Sequence, residues 1–291
     1  MKTSIGGKAF TVFNVVLLLS LTVITAYPIL YVLFASLSNP ASFLAHQGLL
    51  LKPAGFSLDA YKLVLENQMI MGGYLNTILI VVIGVTFNLL MTSLGAYFLS
   101  RKDVLWRNGI MMFIVFTMFF GGGLVPYYLT VTGLGLDNTL LALIIPTAVN
   151  TFNLILMRTS FMSIPDEITE SATMDGASHL TVLFRIIFPL SMPVVAVMVL
   201  YYGVGHWNAW FNAMLFIRDR DLYPLQLVLR EILVQNNTEA MLVGTDSFDK
   251  GLVAETIKYA VIIVATVPIL ALYPFLQRYF VKGMMIGALK G

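Results

Sequence analysis

The carboxylates with the most informative surroundings in this chain are Glu170 and Asp175, in a polar stretch from Ile164 to Leu190 flanked by long apolar spans. There Glu170-Ser171-Ala172 leads to Asp175-Gly176-Ala177 and then to Ile186-Ile187-Phe188-Pro189. The chemistry this pattern supports is docking. Glu170 would supply a charged contact, and small Ala172 and Ala177 would let a partner come close. Pro165 suits a helix start, and Asp166 and Glu167 in the first turn are favoured by the positive end of the helix dipole. Gly176 gives the backbone freedom to turn toward a second short helix. A helix, a turn and a helix make a compact knob; the same residues would also suit a solvated loop kept wet by its acids.

Other reactive constellations are missing. His46, His179 and His206 lie far apart without metal-ligand spacing and are expected at surface or interfacial positions. There is no Gly-x-x-x-x-Gly-Lys-Ser/Thr loop to cradle phosphates and no Gly-x-Ser-x-Gly elbow to present a nucleophile. The absence of cysteine excludes disulfides, thiolate catalysis and Cys-ligated metal centres. No catalytic residue, metal site or bound cofactor is expected, and the scattered Lys and Arg do not form a nucleic-acid surface.

The elements that must position the knob follow from composition. Apolar residues make up 58% of the chain and charged residues 11%, with a net charge of +2. An average soluble domain has roughly 45–50% and about 25%. Such a chain needs a membrane around it. A charge at the bilayer centre costs about 2.5 to 3.5 kcal/mol on insertion scales, so charge-free runs locate the spans. Six runs are long enough to cross, which predicts an all-α polytopic protein with helices near 10–37, 74–99, 109–131, 139–158, 187–211 and 259–281. The first apolar run is too long for the h-region of a signal peptide and reads as a retained anchor.

With both termini inside, the short inner segments hold ten Lys and Arg against seven in the longer outer ones, so cytoplasmic termini are expected. Neither an internal repeat nor a low-complexity linker is evident, which predicts a single transmembrane domain over residues 1–291. Its coupling loop would lie at 159–186, an external loop at 212–258 and a cytoplasmic tail at 282–291.

The acidic motif resembles the cytoplasmic coupling motif of ABC importer permeases. Gly176 falls six positions after Glu170, and Ile186 and Pro189 fall ten and thirteen after Gly176. Ser171 stands where the sugar-importer form usually has Ala, and Phe188 where it has Leu. Phe119-Phe120-Gly121-Gly122-Gly123-Leu124-Val125-Pro126, Ile155-Leu156-Met157-Arg158-Thr159 and the tail from Val281 to Gly291 extend the likeness over nearly the whole chain. They are similar to the smaller permease of carbohydrate importers, in the subgroup associated with complex polysaccharide breakdown products. The resemblance implies a type I importer fold with six helices in the plasma membrane and transport of an oligosaccharide. It also implies a second, larger permease, two ATPase subunits that bind ATP and Mg, and an external solute-binding protein. Met284, Gly287 and Lys290 of the tail would reach the ATPase interface, unless the tail is a frayed terminus.

At the far end from the knob, Trp207-Asn208-Ala209-Trp210-Phe211-Asn212 is the densest aromatic and amide cluster. Trp207, Asn208 and Trp210 suit sugar rings or binding-protein contacts, and equally an interfacial aromatic belt. Asn88 and Asn153 would line a passage or join helices through hydrogen bonds. Gly121-Gly122-Gly123 and the prolines of the later spans fit either a pathway or a kinked bundle. An autonomous secondary transporter or channel is the alternative function, but such carriers usually place ionisable residues within their spans, and these spans hold none centrally.

Overall fold

The computed structural model describes residues 5–234, 255–271 and 274. These are helical apart from short connections, with no named strand among the described residues. They fall into two units. One comprises 5–68, 231–234 and 255–267, and the other 69–230, 268–271 and 274.

The first unit opens with α1 (Ile5–Ser36), an apolar helix exposed over most of its length. Its last turns are anchored by the loop that follows, which carries α2 (Pro40–Ala45) and α3 (Asp59–Glu66). Asn39 starts α2 by accepting the amides of Ala41 and Ser42 with its side chain. Tyr61 and Ser36 share a hydroxyl hydrogen bond of 2.7 Å, and the Leu50 amide donates to the Tyr27 hydroxyl at 3.1 Å. Tyr31 and Phe43 pack edge-on against Tyr259 of the 255–271 helix, with centroids 5.9 and 5.5 Å away.

The second unit is built around α4 (Gln68–Ser100), which is buried along one face from Gly73 to Leu99. Helix α5 (Arg107–Phe119) breaks at Phe120–Gly123 and resumes as α6 (Leu124–Gly133), bent by 115°. Gly123 has φ +84°, a backbone state that L side chains resist. Helix α7 (Leu141–Ile144), extended by a 3₁₀ turn to Thr147, is bent by 52° from α8 (Thr151–Met162), whose first turn Asn150 caps through the Asn153 amide.

The polar stretch forms α9 (Asp166–Met174), α10 (His179–Val182) and, after a wide turn at Leu183–Ile187, α11 (Phe188–Leu190). A bend of 88° leads into α12 (Met192–Trp207). Then come α13 (Phe211–Phe216) and α14 (Leu225–Val234). Leu99, Met111, Met157, Phe161, Leu183, Ile187 and Met198 bury one cluster near the knob, while Ile80, Leu143, Ala213, Ile217 and Leu227 form another toward the opposite end of α4.

Among the described residues, Gly6–Ser36 and Gln68–Ser100 are continuous helices long and apolar enough to cross a membrane, and each of the three bent pairs has the length and composition of one further crossing. The expected spans at 109–131, 139–158 and 187–211 are each broken, the first and the last at the interruptions that their glycines and prolines mark. At about 1.5 Å per residue, the 16 residues of α12 reach roughly 24 Å, short of the roughly 30 Å hydrocarbon core. Of the sixth expected span, 259–281, residues 259–271 and 274 are described and helical, and the others lie outside the described residues.

Candidate functional site

The knob is assembled by local rules. Pro165 precedes α9, and Asp166 and Glu167 occupy the first turn, where their charges meet the unsatisfied amides. At the far end the Ala177 amide donates to the Ala172 carbonyl at 2.9 Å, and the Gly176 amide to Thr173 at 3.0 Å. This pair of bonds is a Schellman stop, with Gly176 at φ +82° in the left-handed position. Ala172 and Ala177 are the two residues that close the stop, and both pack against the buried cluster below. Their small size lets the hairpin sit close to the bundle. Ser178 then caps α10 by accepting the Thr181 amide.

The turn at Leu183–Ile187 is a π turn, closed by the Phe188 amide on the Leu183 carbonyl. Pro189 has no N–H for the regular bond to Arg185, which widens the helix at this point. The knob is thus joined to α12 through a wide turn, a proline and an 88° bend.

Its outer surface offers Glu170 and Asp175, both exposed, beside apolar Met174, which is 89% exposed, and Leu180. Glu170 makes no ion pair among the described residues. It borders a cleft of about 660 Å³ whose walls include Tyr97, Lys102, Asp166, Thr173 and Ile187. The short segment after α4 braces both halves of the hairpin. Lys102 Nζ pairs with Asp166 of α9, and Arg101 donates to His179 Nδ1 of α10 at 2.6 Å. Arg101 also grips Asp103 through two bonds of 2.8 and 2.6 Å.

Hydrogen bonding to Asp103 raises the Arg101 pKa, and the reciprocal bond lowers that of Asp103. Asp166 raises the Lys102 pKa. A raised cation loses its contribution only above its folded pKa, and a lowered acid only below its own, so these contacts persist across neutral pH. Being exposed, they set position more than stability.

The other expected contacts separate into different roles. Asn88 is fully buried and donates its amide to the carbonyls of Thr147 and Ala148 at 2.6 and 2.9 Å. These carbonyls sit at the break between α7 and α8, where the regular helical ladder is interrupted. Asn88 Oδ1 accepts from His206 Nε2 of α12 at 2.6 Å. The Tyr202 hydroxyl adds a second tie, meeting Thr92 at 2.7 Å and accepting the Asn150 amide at 3.1 Å. Asn88 therefore joins three elements as a helix-to-helix bond rather than lining a passage.

His206, 7% exposed, departs from the surface or interfacial position expected for it, because burial comes with a hydrogen-bond partner. The sequence did carry a signal for this network: Gly84, Asn88, Thr92 and Ala96 recur every four residues on α4, and Met198, Tyr202 and His206 do so on α12.

Asn153 is buried in the first turn of α8. Trp207, 8% exposed, packs edge-on against Tyr74 at 5.9 Å, inside the unit rather than at the exposed position that a belt, a sugar platform or a binding-protein contact needs. Asn208 is exposed, and Trp210 is 37% exposed beneath Arg230. Met284, Gly287 and Lys290 lie outside the described residues.

Comparison with known proteins places this geometry. Residues 94–286 match the family described as binding-protein-dependent transport system inner membrane component. Protein LplC of Bacillus subtilis (strain 168) is 41% identical over 292 residues, covering 100% of this chain and 98% of that protein. The polygalacturonan/rhamnogalacturonan transport system permease protein YtcP of the same organism is 38% identical, with 94% and 96% covered. A chain from the crystal structure of a bacterial ABC transporter involved in import of the acidic polysaccharide alginate superimposes with a TM-score of 0.89 at 33% identity, covering 96% of this chain and 99% of that one. By sequence and by fold, then, the chain belongs to the binding-protein-dependent transport system inner membrane component family: it is a membrane-embedded ABC importer permease of the type I fold, a transport subunit and not an enzyme.

Proposed function

We propose that this permease forms half of the translocation pathway of an ATP-driven oligosaccharide importer, as one transmembrane domain beside a larger second permease. The names of its relatives support a saccharide cargo: YtcP is described for polygalacturonan and rhamnogalacturonan, and AraQ proteins for arabinooligosaccharides. In this reading an external solute-binding protein delivers the sugar. Two ATPase subunits, holding ATP and Mg, grip the knob from the cytosol at its exposed Glu170, Asp175 and Gly176, while Ala172 and Ala177, expected to let a partner come close, instead seat the knob on the bundle. Both chain termini then lie inside, and the tail residues Met284, Gly287 and Lys290 reach toward the ATPases.

The observation that carries this reading is the exposed hairpin itself. Its outward acids and Met174 leave a surface for a partner, while its inner side is braced by Lys102 and Arg101 and hinged to α12 at Ser191. Force applied to such a knob is transmitted to a membrane-buried helix through packed contacts. An autonomous carrier would give this surface no partner.

Reconstitution tests the reading. The permease, its companion subunits and the binding protein are placed in vesicles with ATP on the ATPase side, and labelled oligogalacturonates and arabinooligosaccharides are offered. The expected result is accumulation of at least one of them that needs both ATP and the binding protein. Uptake that proceeds without ATP, or transport of neither class, contradicts it.

A further inference from the structure

The end of the bundle opposite the knob carries a second built feature. Helix α12 separates the bend at Ser191 from Trp207 by roughly 24 Å, at about 1.5 Å per residue over its 16 residues. Just beyond it, Trp210 remains 37% exposed, edge-on to Phe211 with centroids 5.6 Å apart. Arg230 of α14 lies over the Trp210 ring, its guanidinium carbon 4.7 Å from the centroid.

The mount beneath Arg230 is tied to α4. The Leu225 amide that opens α14 donates to the buried Thr77 hydroxyl of α4 at 2.8 Å. Gly73 of α4 permits the close approach, since a side-chain carbon there would stand 3.2 Å from the Leu225 backbone. Leu225, Leu227, Val228, Leu229 and Ile232 are buried, whereas Arg230 keeps partial exposure.

A guanidinium held over an indole by cation–π attraction still has N–H groups to offer, and a carboxylate matches them bidentately. Among the described residues no carboxylate forms an ion pair with Arg230. Trp210 and Phe211 add exposed aromatic surface at the same spot, of the kind that packs against the apolar face of a pyranose.

Resting on the importer reading above, we propose that Trp210 and Arg230 form a contact for a uronate unit of an acidic oligosaccharide. Arg230 takes the carboxylate, and Trp210 with Phe211 takes the ring. The juxtaposition is on the side where cargo enters if the knob faces the cytosol, and it selects charged over neutral sugar at the permease itself.

The test uses the assembled transporter in detergent, without binding protein, titrated with an oligogalacturonate and with its carboxyl-reduced, neutral counterpart. Arg230→Gln is expected to weaken binding of the acidic sugar by about tenfold or more, since a hydrogen-bonded charge is lost. Binding of the neutral sugar stays as in the wild type, and Arg230→Lys recovers only part of the loss. Equal weakening for both sugars would reveal a merely structural Arg230 and overturn the proposal, as would no change. If the wild-type complex binds neither sugar, the proposal falls, while vesicle uptake still decides the importer reading independently.

Discussion

Glu170→Arg is expected to abolish ATP-dependent uptake and to release the ATPase subunits on purification, while the permease itself folds normally. Glu170 lies on the exposed side of α9 and has no ion pair among the described residues, so the hairpin loses little internally when it is replaced. Losing one partner of a buried, hydrogen-bonded charge pair at an interface costs about 2 to 5 kcal/mol, or roughly thirtyfold to several thousandfold in affinity. Charge reversal adds repulsion. Three measurements separate the effects: thermal melting of the purified permease should match the wild type, co-purification of the ATPases should fail, and uptake should fall to background. A variant that transports normally would remove Glu170 from the coupling contact.

The second large effect is expected inside the bundle. In Gly84→Ala the new Cβ would stand 2.6 Å from His206 Nε2, with two further ring atoms at 2.9 Å. The ring cannot step aside cheaply, because it is buried and bonded to Asn88. Asn88→Leu would do comparable damage by another route. It leaves the Thr147 and Ala148 carbonyls and the His206 N–H without their partner.

Side-chain hydrogen bonds between membrane helices average about 0.6 kcal/mol, which alone would predict a mild effect. Two of these acceptors, however, are backbone carbonyls at a helix break. Unsatisfied backbone groups in hydrocarbon cost several kcal/mol each. That term wins, and it is a large fraction of a total stability of about 5 to 15 kcal/mol. The expected readout is a loss of monodisperse permease after detergent extraction for both variants. Partial rescue of Gly84→Ala by His206→Ala would localise the clash. Wild-type yield and melting for Asn88→Leu would show that the network is dispensable.

How much of this was legible beforehand depends on the kind of signal. Charge-free runs placed the long helices, 10–37 against Ile5–Ser36 and 74–99 against Gln68–Ser100, with C-terminal ends one residue off and starts five and six residues late, because insertion energetics act directly on composition. The hairpin was equally plain, since Pro165, Asp166, Glu167 and Gly176 are cap and turn residues whose reasons are local. Pro189, Pro193 and the Gly121–Gly123 run announced breaks, but not angles of 88° and 115°, which tertiary packing sets. The buried place of Trp207 is hidden from the sequence for a related reason. On a helix as uniformly apolar as α12, hydropathy does not distinguish the side facing Tyr74 from the side facing lipid. Only the four-residue spacing of polar and small residues on α4 and α12 marked the packed faces, and it explains His206 once both helices are read together.

The central claim is that the α9–α10 hairpin is where nucleotide hydrolysis in other subunits reaches this permease. A photoreactive side chain at position 174, where Met174 is 89% exposed, tests it most directly in the fully assembled transporter within its membrane. The account predicts a covalent adduct between the permease and an ATPase subunit, with a yield that changes when ATP is bound. Adducts formed only with lipid or with the external binding protein would contradict it.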